Sequence, residues 1–167
     1  MRCLMLFVVA LVLGPVWAAP AVAAGDRLDW PLRPRPEVTR TFDAPSPNWT
    51  PGHRGVDLAA APGQSVYAAA EGTVVFAGEL AGRPVVSVAH PGGLRTSYEP
   101  VRPTVRPGQR VAPGAVIGVL QAGHRGCPRQ ACLHWGAMWG RAANADYVDP
   151  LGLVASTPIR LKPTRPS

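Results

Sequence analysis

Residues 65–90 read SVYAAAEGTVVFAGELAGRPVVSVAH. Three short valine-rich runs stand between Gly and Pro at intervals of about ten residues. LRTSYEPV, QRVAPG and AVIGVL carry the same rhythm on to Leu120. β-Branched side chains suit a pleated, half-buried surface, and Gly or Pro between such runs marks turns. HPGGLR (90–95) reads as a hairpin connection whose glycines can take positive φ. Beyond the first two dozen residues no helical period lasts longer than two turns. The expected fold is all-β: one compact domain of antiparallel sheet or sandwich.

Working outward, the chain of 167 residues opens on Met1-Arg2 and an apolar run, LMLFVVALVLGPVWA. That run is short for a membrane span and is broken by Gly and Pro. AVAA at 21–24 supplies the small residues of a cleavage site, so 1–24 reads as a signal peptide cut after Ala23 or Ala24. The alternative is a retained anchor. Residues 25–163 are the expected domain and 164–167 a tail, with no transmembrane segment after cleavage. What remains has sixteen basic against ten acidic residues, a net charge of +6, and Lys162 is its only lysine. The arginines are dispersed and no aromatic ladder interleaves with them, which argues against nucleic acid. Attraction to an anionic bacterial envelope suits this charge better. The expected product is an exported monomer, periplasmic, wall-associated or extracellular.

Between Leu28 and Thr50 proline recurs too often for regular helix. VTRTF is expected as one short strand, with Trp30, Phe42 and Trp49 as anchors that pack this segment on the core. Cys127 and Cys132 are the only cysteines left after cleavage. An even pair in an oxidising compartment reads as a disulfide. The alternative is a thiolate bound to metal, which a disulfide would exclude. Closing so short a loop contributes about 2 kcal/mol in the chain-entropy picture, so its main effect would be local.

GHRGVDLAA places His53 and Asp57 four residues apart, in a loop entering a strand. Imidazole and carboxylate can converge there on one cation, and zinc accepts mixed N/O ligands. His134, in CPRQACLHWG (127–136), would complete a His/Asp/His set. Three protein ligands and an open position describe a catalytic zinc site rather than a structural one.

EGTVVFAGEL and RPGQRVAPGAVIGVL resemble the hammerhead hybrid motif of lipoyl and biotinyl carriers and of some peptidases. A carrier needs a lysine at a hairpin tip, and Lys162 lies in the tail between Leu161 and Pro163. GHRGVDL, GTVVFAG, VVSVAHPGGLRTSYEPV, VRPGQRVAPGAVIG and CLHWG occur in the order seen in the LytM/lysostaphin-like zinc endopeptidases, family twenty-three of the metallopeptidases. The resemblance runs from about Trp30 to Leu153. It implies a β-sheet domain with a groove, Zn2+ on His53, Asp57 and His134, and peptidoglycan stem or bridge peptides as substrate.

This chain departs from that family in two places. The family's last motif is H-x-H, and Cys132 stands at its first histidine. Its other catalytic histidine lies two positions after a tyrosine, where this chain has Pro100. The resemblance therefore implies a metal site without its usual proton-transfer groups, whose loss costs about 10²–10⁴-fold in rate. His124 and Glu99 are the candidates to substitute, although each also reads as a solvated loop residue. His90 is expected to order its turn, Trp135 to be core, and Tyr147 and Asp149 to be structural, in a turn and short helix closing the domain. Two functions follow from these residues: a peptidase acting through zinc-activated water, or a non-hydrolytic wall-binding or hydrolase-regulating module that keeps the metal.

Overall fold

The computed structural model of the protein describes residues 27–45, 47, 50–140 and 145–154. The expected signal peptide, Trp49, Lys162 and the tail lie outside the described residues. Eleven strands follow in chain order: β1 Val38–Arg40, β2 Val56–Ala60, β3 Ser65–Tyr67, β4 Gly72–Leu80, β5 Arg83–Ala89, β6 Leu94–Glu99, β7 Val101–Pro103, β8 Arg110–Val111, β9 Val116–Leu120, β10 Ala131–Trp139 and β11 Asp146–Val148. The larger sheet has the order β1-β2-β10-β6-β5-β4-β8, with β11 paired to β10, and β3-β9-β7 form a second sheet. The strand pairs are antiparallel. The fold is all-β, as the valine-rich runs imply.

Each expected run becomes a strand. LRTSYEPV divides at Pro100, which cannot donate to a ladder, so β6 serves one sheet and β7 the other. HPGGLR connects β5 to β6 through a 3-10 turn over Pro91–Gly93, where Gly92 and Gly93 have φ of 80° and 96°. VTRTF contributes only Val38–Arg40. The closing segment YVDPLGLV differs from the expected turn and helix. Tyr147 and Val148 extend β10 as part of β11, and only Pro150–Leu153 form a 3-10 turn. There the Asp149 carboxylate accepts from the Leu151 N–H at 2.9 Å.

The core lies on one face of the large sheet. Val56, Trp135 and Tyr98 occupy one row across β2, β10 and β6, and all three are fully buried. Trp135 is thus the core aromatic expected of it, and Trp30 packs on it with ring centroids 6.3 Å apart. Leu28 and Leu32, also fully buried, tie the proline-rich segment down more firmly than the half-buried Trp30 and Phe42. Deleting a side chain such as that of Trp135 would cost about 3–5 kcal/mol.

Register then decides what the opposite face carries. One residue along from the Val56–Trp135–Tyr98 row stands Asp57–His134–Glu99. Because side chains alternate along a strand, this row points away from the core.

Candidate metal centre

His53 precedes β2 and is fixed before the strand begins. Its backbone exchanges hydrogen bonds with Asp43, N to O at 2.7 Å and O to N at 2.8 Å. The Nδ1–H donates to the Thr41 carbonyl at 2.6 Å, which sets the tautomer and turns the Nε2 lone pair inward. That Nε2 lies 2.9 Å from Asp57 Oδ1 and 3.1 Å from His134 Nδ1. His134 Nδ1 is itself 2.9 Å from the same Asp57 oxygen. The sequence-expected ligands His53, Asp57 and His134 therefore meet, with candidate donor atoms within 4.8 Å of one another.

Space for the imidazoles comes from missing side chains. A Cβ on Gly55 would lie 2.8 Å from His134 Nε2 and 2.5 Å from the Trp135 carbonyl oxygen. Asp57 is only 2 % exposed, so its charge needs local compensation. Burial opposes that charge, yet hydrogen bonds with His124 and His134 and the charges of His124 and His53 outweigh it. The carboxyl is held well below the usual carboxylate range.

His124 differs from its expectation as a solvated loop residue. Its Nε2 lies 3.1 Å from Asp57 Oδ1, its side chain is 9 % exposed, and its ring stacks on His134 with centroids 5.7 Å apart. The physical reason is covalent. Cys127 and Cys132 form a disulfide, Cα atoms 5.6 Å apart, which draws the loop before β10 onto the strand that bears His134. Thiolate ligation by Cys132 is thereby excluded. The spacing H-R-G-C, with that cysteine pairing two residues before His134, is the signal that could have placed His124 here.

Glu99 also departs from a loop reading. It ends β6 opposite His134 and pairs with Arg83 at 3.5 Å. The next residue, Pro100, lies buried between β6 and β7. Tyr147 is more than structural, because with Arg54 over its ring at 5.6 Å it lines the same groove. His90 stays away from the centre and spans Glu71 and Thr96, ordering its hairpin as expected.

The groove over the centre has a volume of about 560 Å³. Arg40, Arg54, Arg83 and Arg125 line it with His53, His124 and His134, and among the described residues Glu99 is the one acidic side chain lining it. Dispersed in sequence, these arginines converge only in the fold, which is why composition could not reveal them.

Three ring nitrogens crowding one buried carboxylate oxygen can be reconciled by protons or by one cation. With His53 Nδ1 already donating to Thr41, its inward Nε2 lone pair faces that oxygen, an arrangement a divalent cation between them would relieve. The donor set fits zinc, which takes imidazole and carboxylate together.

Comparisons with known proteins agree with this architecture. The sequence profile described as Peptidase family M23 matches residues 51–150. The chain belongs to peptidase family M23. The uncharacterized protein Rv2891 of Mycobacterium tuberculosis is 73 % identical over 146 residues, 87 % of this chain and 59 % of that protein. The chain thus spans about three-fifths of that relative's length. Among solved structures, Helicobacter pylori Csd3 is similar with a TM-score of 0.61 and 27 % identity, over 82 % of this chain and 37 % of that one. The antimicrobial peptidase lysostaphin of Staphylococcus simulans shares the fold with a TM-score of 0.59 and 22 % identity, over 77 % of this chain and 56 % of that one.

Proposed function

We propose that the chain is an exported, zinc-binding peptidase-like domain directed at the peptides of bacterial peptidoglycan. The observation that carries this reading is the convergence of His53, Asp57 and His134 at the floor of an open groove in a family M23 chain. Zinc, when bound, would polarise a substrate carbonyl and acidify water. Everything else falls to the chain's own residues. His53 and His134 would hold the metal with Asp57, the Thr41 carbonyl would orient His53, and the groove would align the peptide.

Four arginines along the groove favour a peptide carrying free carboxylates, as in the stem, over a neutral bridge. Arg125 and Arg40 are exposed and accessible to such a ligand. Export is supported by the disulfide, which persists in oxidising compartments. Among the described residues no helix is long and apolar enough to cross a membrane. The proposed organisation is a signal peptide over 1–24, the domain over 25–163 and a tail over 164–167.

Cys132 and Pro100 favour a second reading, a wall-binding or regulatory module that keeps the metal without efficient hydrolysis. Cys132 is consumed in the disulfide, and Pro100 has no proton to transfer. Glu99 remains beside the groove, where it is paired with Arg83 at 3.5 Å. Muropeptide release from purified cell walls, with and without a zinc chelator, separates the two. Chelator-sensitive release supports the peptidase. Wall binding without release supports the module, and neither binding nor release counts against both.

A further inference from the structure

The loop between β9 and β10 does more than border the groove. From Gln121 to Gln130 it makes a turn in which the Cys127 N–H donates to the His124 carbonyl at 3.3 Å, with Gly123 and Gly126 at φ of 99° and 80°. The disulfide then fastens this turn to Cys132. Cys132 and His134 are two apart on one strand and share a face, so the tether sets the turn above the His134 ring. The outcome is a third imidazole nitrogen beside Asp57, next to the His53, Asp57 and His134 set. His53 Nε2, His134 Nδ1 and His124 Nε2 lie 2.9, 2.9 and 3.1 Å from Asp57 Oδ1.

These three separations and the 3.1 Å between His53 Nε2 and His134 Nδ1 are close to the donor spacing of a tetrahedral centre. Bonds of about 2.0–2.1 Å at tetrahedral angles put neighbouring donors about 3.3 Å apart, so small outward movements would accommodate an ion. A solvated histidine would neither stack on His134 nor lie nine-tenths buried against a carboxylate. His124 lines the groove, as a proton-transfer group also would, but its Nε2 is aimed at the Asp57 oxygen that His53 and His134 share.

From this we infer that His124 is a fourth protein ligand, which closes the metal site and is held over it by the Cys127–Cys132 disulfide. The inference rests on the metal-site reading above and goes beyond it. A site saturated by four protein donors is of the closed, structural type, whereas hydrolysis needs an open position. His124 would therefore act as a built-in plug, and a substrate gains access only when the loop withdraws it.

X-ray absorption of the zinc-loaded wild-type chain provides the test and needs no variant. Three imidazoles with one carboxylate are expected; two imidazoles with water would overturn the inference while leaving the three-ligand reading intact. A chain that takes up no zinc would overturn both. Competition with a chelator sharpens the result. His124→Ala is expected to weaken zinc binding at least about tenfold, comparable to the 10–100-fold losses seen for ligand-orienting groups. The double variant Cys127→Ser, Cys132→Ser, which removes the tether without adding thiolates, should weaken it to a smaller degree. Unchanged affinity in a folded His124→Ala chain would refute the role of His124. Muropeptide release gives a third readout: loss of the plug should raise hydrolysis, whereas loss of a catalytic base should lower it.

Discussion

One histidine and a group of three stand beside the same large sheet in opposite circumstances. At one end His90 donates from Nδ1 to the Glu71 carbonyl at 2.7 Å and meets Thr96 Oγ1 through Nε2 at 2.8 Å. Thr96 reaches the Tyr98 hydroxyl at 2.9 Å, and that oxygen accepts from the Ala69 N–H at 3.1 Å. Each ring nitrogen of His90 has one neutral partner, and the network is closed. At the other end His53, His124 and His134 direct nitrogens at a single oxygen of Asp57. A buried imidazole with one partner per nitrogen braces a fold. Several imidazoles competing for one carboxylate oxygen describe a place for a cation.

That contrast can be broken in ways of decreasing size. The largest effect concerns turnover. With Cys132 in a disulfide and Pro100 at the other expected position, muropeptide release by the wild type should be about 10²–10⁴-fold slower than by a site with both bases. Pro100→His, on the strand end beside Glu99, should recover part of that deficit. Brisk wild-type release that disappears in Glu99→Gln would show instead that Glu99 already serves as the base.

Exchanging the histidine networks gives the next effect. His90→Ala takes one partner from the buried Thr96 hydroxyl, which keeps Tyr98, and one from the Glu71 carbonyl, and each lost hydrogen bond costs about 0.5–1.5 kcal/mol. Denaturant unfolding should register that loss while zinc content stays unchanged. Zinc loss in His90→Ala would mean that the two ends of the sheet are not independent.

A smaller effect follows from acid. Burial holds His90 below the ordinary histidine value of about 6.5, against the pull of the Glu71 carbonyl. In the window between the two values the unfolded chain binds more protons, so stability rises with pH there. The contribution is complete above about pH 6.5 and is lost as pH falls toward the folded value. Thermal unfolding of wild type and His90→Asn, compared across that window in metal-free buffer, should show the steeper acid decline in the wild type. Parallel declines would remove His90 as the cause.

How much of this was legible in the sequence varies along the chain for physical reasons. The strands from Ser65 to Leu120 were readable because each buries one face between Gly/Pro turns. β10 is harder, since residues on both its faces are buried and the alternation is lost. His53, Asp57 and His134 could be nominated from a local H-x-x-x-D and a distant histidine, because those residue types suit zinc. His124 could be named, and the H-R-G-C spacing beside the expected disulfide hinted at its place. Its contact with Asp57 depends in addition on the register of β10 with β2, which does not appear in local spacing. The arginine-lined groove was invisible for the same reason, with Arg40, Arg54, Arg83 and Arg125 coming from four separate segments.

The central claim is that His53, Asp57 and His134 form a metal centre and that His90 belongs to the scaffold. Metal analysis of the purified chain, alongside His134→Ala and His90→Ala, tests it most directly. About one zinc per chain is predicted for wild type and for His90→Ala, with stoichiometric zinc lost from a folded His134→Ala. Full metal content in His134→Ala, or none in the wild type after incubation with zinc, would contradict it.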